Sequence, residues 1–210
     1  MIYFDYRDAP NARVPRMFAA EKGLHLQLRP VDVRGGENHR PPYSTEVNRT
    51  GQVPALQLDD GFVLREMLPI CEYLEELQPA PALIGATPRE RAETRMWTRW
   101  IDLKYVERMT DACITRPGPI RQMYARHNYK TMLPETDGDV LARMALEKLA
   151  WFDGEMTGRS FVCGDRFTLA DIHLYVFLDF FEKLGLHFPR ELAWVEDFYR
   201  RAGARESALA

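Results

Sequence analysis

The spacing of apolar residues changes character near Gln78. Before it, short alternating runs trade with helical ones; after it, nearly every run has helical spacing. Ile2 to Asp5 has the length of a short strand. Val14, Met17 and Phe18, followed by Glu21–Lys22, share one face at a period of 3.6, and Gly23 stands where a left-handed residue would end the helix. Pro15 requires that helix to start just before it, because a deeper proline removes a backbone donor. Leu24, Leu26 and Leu28 alternate with His25, Gln27 and Arg29, which predicts a strand with one buried face. Gly35 to Asn48 holds two glycines and Pro41–Pro42, which predicts a loop with room for one helical turn. Val53–Leu58 and Phe62–Leu64 flank Asp59-Asp60-Gly61 and predict a hairpin. Leu68, Cys71, Leu74 and Leu77 recur every three residues and predict a helix that buries them. The order β-α-β, loop, β-β-α suits a small mixed sheet with helices packed on it.

Gln78 to Ala86 carries two prolines and a glycine. It is the expected linker, giving a first domain at 1–78, a linker at 79–86 and an all-helical domain at 87–210. Thr87-Pro88-Arg89-Glu90 is a helix start with a capping threonine, a proline at the first helical position and a glutamate able to reach back. That helix runs through Met96, Trp97, Trp100 and Leu103. A second spans Asp139 to Met156. Thr168-Leu169-Ala170-Asp171 is another capping box and opens a very apolar helix ending near Gly185. Glu191 to Arg201 reads as a last amphipathic helix.

Composition narrows the class without naming a function. The 210 residues are 46 % hydrophobic and 28 % charged, which excludes disorder and collagen as whole-chain readings. A formal charge of −3 lacks the basic footprint of a dedicated nucleic-acid binder. Cys71, Cys113 and Cys163 are odd in number and widely spaced, so neither a disulfide framework nor a structural zinc site is expected, and a reducing compartment is. Met1 to Asp8 has no apolar core for a signal peptide, and no apolar run approaches the roughly 20 residues of a membrane span. The expectation is a cytoplasmic globular protein without a membrane or nucleic-acid partner.

Four places could carry chemistry. At Gly51-Gln52-Val53-Pro54-Ala55-Leu56 a proline opens a strand after a glycine turn; a cis Val53–Pro54 bond would turn the Val53 backbone outward to an extended ligand, whereas a trans bond at an edge strand is the commoner arrangement. Glu66-Met67 falls where a strand meets a helix, so free N–H groups could hold an anion and Glu66 an ammonium, or Glu66 could simply favour the helix dipole. Tyr3, Tyr6 and Asn11 surround the first strand-to-helix turn and could donate to a thiolate or oxyanion, or serve as strand aromatics and a cap. His39-Arg40 could bind a carboxylate or stand solvated in its loop. The remaining histidines form no metal pair; His173, amid apolar neighbours, reads as a satisfied core histidine, and Trp97, Trp100 and Tyr105 as helix core.

Taken in order, these segments resemble the cytosolic glutathione S-transferase superfamily over nearly the whole chain. The likeness rests on Pro10-Asn11-Ala12-Arg13 and Glu21-Lys22-Gly23, on Asn48 to Leu56, on Asp60-Gly61 and Glu66 leading into Ile70-Cys71-Glu72-Tyr73-Leu74-Glu75, and on Phe167 to Ile172. The resemblance implies a thioredoxin-like α/β N-terminal domain, an all-α C-terminal domain, glutathione as co-substrate, no metal, and a homodimer. By position it implies that the Val53 backbone, next to a cis Pro54, pairs with the cysteinyl unit. Glu66 would take the γ-glutamyl amine and the N–H of Met67 its carboxylate. His39 or Arg40, with Gln52, would hold the glycine end.

Two positions depart from that pattern. The family's Glu-Ser pair is Glu66-Met67, and its Ser-Pro-Asn segment is Ala9-Pro10-Asn11; no serine or cysteine occurs between Met1 and Gln27. The resemblance then implies Asn11 or Tyr6 as the thiol-activating residue, assisted by backbone N–H groups, with Tyr3 or the backbone alone as the other candidates. Pro69 to Leu74 and Glu90 to Asp102 also resemble bacterial β-etherases, which cleave aryl ethers of lignin fragments with glutathione. The resemblance therefore implies a transferase acting on an apolar, aromatic electrophile, with a β-etherase or a non-catalytic glutathione-binding module as alternatives. The electrophile would be selected by the first C-terminal helix and the loop Ile114 to Pro134.

Overall fold

The computed structural model describes residues 1–127 and 137–210, and part of the Ile114 to Pro134 loop lies outside them. The chain divides into two compact units, Met1–Pro88 with Arg205–Ala210, and Arg89–Ala204.

The first unit is built on four strands in the order β2-β1-β3-β4: β1 (Ile2–Asp5), β2 (Gln27–Pro30), β3 (Ala55–Gln57) and β4 (Val63–Arg65). β2 is parallel to β1, and the β1–β3 and β3–β4 pairs are antiparallel. The β3–β4 hairpin forms across Asp59-Asp60-Gly61 as its turn residues require, with Gly61 at φ 87°. Helices α1 (Pro10–Glu21) and α2 (Met67–Leu77) pack together in this unit, a thioredoxin-like arrangement.

Three details of the pattern reading change. α1 starts at Pro10, so Pro15 lies inside it and the Asn11 carbonyl has no helical donor four residues on. Gly23, at φ 66°, does end α1, but the next N–H, Leu24, closes that end onto the Ala19 carbonyl. Leu24 thus belongs to the helix terminus, and the strand begins three residues later than its alternation suggests. β2 is also the edge strand, and Leu28 is 49 % exposed. In α2 the buried residues are Ile70, Cys71, Leu74 and Glu75, while Leu77 is exposed. At 3.6 residues per turn, positions nine apart differ by about 180°, so Leu68 and Leu77 cannot share one face. The Gly35–Asn48 loop holds two short turns: a 3₁₀ turn at Glu37–His39 and a π turn at Tyr43–Val47.

The second unit is helical: α3 (Pro88–Ile101), whose first residue closes the first unit, then a π turn at Asp102–Val106, α4 (Glu107–Thr115), α5 (Pro119–His127), α6 (Gly138–Met156), α7 (Leu169–Lys183) and α8 (Ala193–Gly203). Trp97, Trp100, Phe152, Trp194 and Phe198 form a continuous aromatic cluster in its core, with centroids between 4.9 and 6.2 Å apart. The Thr168–Asp171 capping box is formed. Asp171 accepts from the Thr168 N–H and hydroxyl, each at 2.8 Å, and from the Val162 N–H at 2.8 Å. His173 is buried, but among the described residues neither ring nitrogen has a hydrogen-bond partner, and Nε2 stands 3.5 Å from Asp102 Oδ1. It is therefore a core histidine without the satisfied bonds expected of one. No helix among the described residues is long and apolar enough to cross a membrane.

Candidate active site

The sheet register brings the candidate segments of the first unit to one end. Asp5 pairs with Pro30, Phe4 with Ala55, and Ala55 with Arg65. Hence the C-terminal ends of β1, β2 and β4 and the N-terminal end of β3 are level. The Tyr6–Asn11 turn, the loop to His39 and Arg40, the Gln52–Pro54 segment and Glu66–Met67 all leave from that end.

Each segment is fixed from beneath. Tyr3 is fully buried and donates its hydroxyl to the Ala12 carbonyl at 2.7 Å, tying the first turn of α1 to β1. Burial pushes its phenol well above the usual range, so Tyr3 is a structural tyrosine. Arg16 pairs with Asp5 and donates to the Arg7 carbonyl at 3.0 Å, pinning the turn between strand and helix. The Val53–Pro54 bond is cis. Gln52 is held through its carbonyl, which accepts from the Tyr43 hydroxyl at 2.6 Å and Asn48 Nδ2 at 2.9 Å. Asn38 Nδ2 donates to the Gly51 carbonyl at 2.6 Å and lies 3.1 Å from His39 Nε2. Gly51 has φ 69°, and a Cβ there would meet His39 at 2.5 Å, so only glycine lets the two segments close.

What these supports leave open is a set of backbone groups without partners among the described residues. Neither the N–H nor the C=O of Val53 has a partner among the described residues. Ala9 supplies no side-chain cap to α1, Pro10 has no N–H, and Asn11 is exposed, with neither its backbone N–H nor its side-chain amide bonded among the described residues. Among the described residues the N–H groups of Met67 and Leu68 at the start of α2 have no acceptor, and Glu66 caps without a side-chain bond. Glu66 has φ 70°, the one non-glycine residue with positive φ among the described residues, which marks strain at a candidate site.

Two expected residues are otherwise engaged. The Tyr6 hydroxyl donates to Asp8 Oδ2 at 3.2 Å and accepts from Arg34 Nε at 2.8 Å. Burial, helped by Asp8 and opposed by Arg34, pushes its phenol up. Arg40 folds back on its own loop, donating from Nε to the Gly36 carbonyl at 3.2 Å and from Nη2 to the Gly35 carbonyl at 2.8 Å. Among the described residues no cluster of three or more His, Cys, Asp or Glu is placed to hold a metal. The three cysteines are free and buried. Burial holds the Cys71 thiol well above its usual range, Cys113 up at about 12, and Cys163 up as well. None is poised as a thiolate nucleophile.

The side chains behind the site are not legible in the spacing of the sequence. Asn38 and Tyr43 carry no signal in the sequence, since their roles depend on loops closing over residues 9 to 13 positions away.

Family models match both parts of the chain: a glutathione S-transferase N-terminal domain over residues 9–77 and a glutathione S-transferase C-terminal domain over residues 130–206. The chain belongs to the glutathione S-transferase family. It is 29 % identical to glutathione S-transferase 2 of Saccharomyces cerevisiae over 212 aligned positions, covering 99 % of this chain and 87 % of the relative. It superposes on the crystal structure of Gtt2 from Saccharomyces cerevisiae with a TM-score of 0.88 at 27 % identity, covering 100 % and 99 % of the two chains. It is 39 % identical to β-etherase LigF of Sphingobium sp. over 101 residues, covering 47 % of this chain and 38 % of LigF.

Proposed function

We propose that this transferase-family chain binds glutathione at the sheet end just described and directs its thiolate at a hydrophobic, aromatic electrophile, by addition or by displacement of a leaving group. The observation that carries the reading is the set of unpaired backbone groups at Asn11, Val53 and Met67, at one end of one sheet. An extended peptide with an amine, two carboxylates and a thiol matches them. The Val53 N–H and C=O pair with the cysteinyl unit. Glu66 takes the γ-glutamyl amine, and the Met67 N–H, at the positive end of α2, takes the adjacent carboxylate. His39 and Gln52 receive the glycine carboxylate; Arg40 reaches it once its guanidinium leaves the Gly35 and Gly36 carbonyls.

Chemistry then turns on sulfur. A free thiol ionises near pH 8.5 and only the thiolate attacks. Asn11 offers a side-chain amide and a backbone N–H at the uncapped start of α1, and both favour negative charge on sulfur. Tyr6 is the weaker choice, because its one proton is directed at Asp8. In a displacement the sulfur forms the new C–S bond as the leaving group departs with its electron pair. Aryl ether cleavage is the alternative form of that step, supported by the LigF likeness over under half the chain. A non-catalytic glutathione-binding module is the other alternative, motivated by Ala9 and Met67. We place the protein in the cytoplasm, as a homodimer, in detoxification or breakdown of aromatic compounds.

The test is calorimetric titration with glutathione, followed by turnover on a panel of aryl halides and aryl ethers, with thiolate absorbance read across pH. Binding with a lowered thiol pKa and turnover of at least one substrate is the expected result. No binding at millimolar glutathione overturns the reading, and binding without thiol ionisation or turnover replaces it with the non-catalytic module.

A further inference from the structure

Helix α1 carries charges against its own dipole. Arg13 stands in its first turn and Glu21 is its last residue, with no acid in the first turn and no base in the last. A helix favours anions at its N-terminal end and cations at its C-terminal end. Both side chains therefore need partners from elsewhere, and Arg205–Ala210 supplies them. Arg205 forks onto Glu21, with Nε to Oε1 and Nη2 to Oε2 both at 2.7 Å. The Ser207 hydroxyl donates to the same carboxylate. At the other end of the helix, Arg13 Nη2 donates to the Ala208 carbonyl at 2.7 Å.

These contacts are sheltered. The Glu21 side chain is 11 % exposed, and Ser207 and Ala208 are buried in the 3₁₀ turn Glu206–Leu209. Burial alone would raise the Glu21 carboxyl, but the bonds from Arg205 and Ser207 outweigh it and hold the group below its usual range. The pair is thus ionised at neutral pH. Arg13 and Glu21 are eight residues apart, about 12 Å along the axis, so α1 is gripped near both ends. Arg13 is two residues from Asn11. The chain leaves the second unit at Ala204, and the segment that grips α1 follows directly.

We propose that Arg205–Ala210 is a strap that sets the attitude of α1, and that Arg205, Ser207 and Arg13 are positioning residues for the Asn11 end of that helix. The proposal rests on the glutathione reading above. Stabilising a thiolate with a helix end depends on where the N–H groups aim, so a small tilt of α1 weakens it without removing any group that touches the peptide.

The test compares Arg205→Ala, Arg205→Lys, the swaps Glu21→Arg and Arg205→Glu, and the double swap. Measured are the pKa of the bound glutathione thiol, kcat, the glutathione KM, and hydrogen exchange at the Arg13 and Val14 amides. Arg205→Ala is expected to raise the bound thiol pKa by about half a unit and to lower kcat about 5- to 20-fold, with KM held within about twofold. Arg205→Lys recovers part of the loss, and the double swap exceeds either single swap. Wild-type thiol pKa and kcat in folded Arg205→Ala overturn the proposal. Should Arg205→Ala fail to fold, Arg13→Gln, which breaks the grip at the other end, carries the same readouts. If the wild-type protein binds no glutathione, the functional reading falls separately, and hydrogen exchange decides: faster exchange in Arg205→Ala supports the strap, and unchanged exchange overturns it.

Discussion

Helices α7 and α1 begin in opposite ways. At α7 the Thr168–Asp171 box is formed, and the Asp171 carboxylate is buried, accepting from the Thr168 N–H and hydroxyl and from the Val162 N–H. At α1 the cap is Ala9, the first residue is Pro10, and the Asn11 amide is exposed and unbonded. The start of α2 repeats the second arrangement, with a strained glutamate in place of a capping side chain. A helix start closed by its own side chains contributes stability; one left open keeps its N–H groups for a ligand. The helical unit has the closed kind at α7 and the sheet unit the open kind at α1 and α2.

The largest test concerns where the sheet unit is closed as tightly as α7. Lys22 Nζ meets Glu75 at 2.6 Å with both side chains buried, and also donates to the Gln78 and Pro81 carbonyls. Glu75 in turn accepts from the Ile84 N–H at 2.9 Å. Lys22→Met leaves a buried carboxylate without its partner and should cost about 3–5 kcal/mol in urea unfolding. A cost below about 1 kcal/mol, the range of a surface pair, would show that closure in this unit comes from apolar packing alone.

Next is the α7 start. Asp171→Ala should cost about 2–4 kcal/mol, because three donors lose their acceptor. The same residue has a pH signature. Burial raises its carboxyl to about 6, above the unfolded value. Its contribution to stability is thus full at pH values below the unfolded pKa and is lost as pH rises through about 6. The stability gap between wild-type and Asp171→Asn should narrow between pH 5 and 7.5 in paired urea melts. A gap that widens would contradict the assignment.

The open starts should behave conversely. Asn11→Ala is expected to lower kcat/KM about 10- to 100-fold while changing the unfolding free energy by less than about 0.5 kcal/mol. Intact turnover would remove Asn11 from the sulfur. The smallest effect belongs to Glu66→Gly. Relieving a positive φ should stabilise the fold by about 1 kcal/mol while weakening glutathione binding, measured by melts and calorimetry on one sample. Stabilisation without loss of binding would mean that Glu66 does not hold the amine.

Much of the fold is legible because its signals are local. Gly23 ends α1, Pro88 opens α3, the Asp59-Asp60-Gly61 turn makes the β3–β4 hairpin, and Thr168–Asp171 starts α7, each through neighbours within a few residues. The failures are equally specific. Leu24, Leu26 and Leu28 alternate correctly, but alternation reports polarity and not which face will be covered, and β2 lies at the sheet edge. The three-residue spacing in α2 suggests one face, yet at 3.6 residues per turn it rotates away from itself. At the site, the Gln52–Pro54 and Glu66–Met67 positions are legible from turn chemistry and strand ends. That Tyr3 is buried while Asn11 is open is not, because both flank one turn and only packing separates them.

By itself the sequence determined the order of elements, the helix boundaries set by glycine, proline and capping residues, and the family pattern. Tertiary structure decided which polar groups are spent and which remain. Lys22 closes onto Glu75, Tyr6 is taken by Asp8 and Arg34, and Glu21 is answered by Arg205, 184 residues away. Pairing across such distances depends on three-dimensional proximity and burial, which no local spacing encodes.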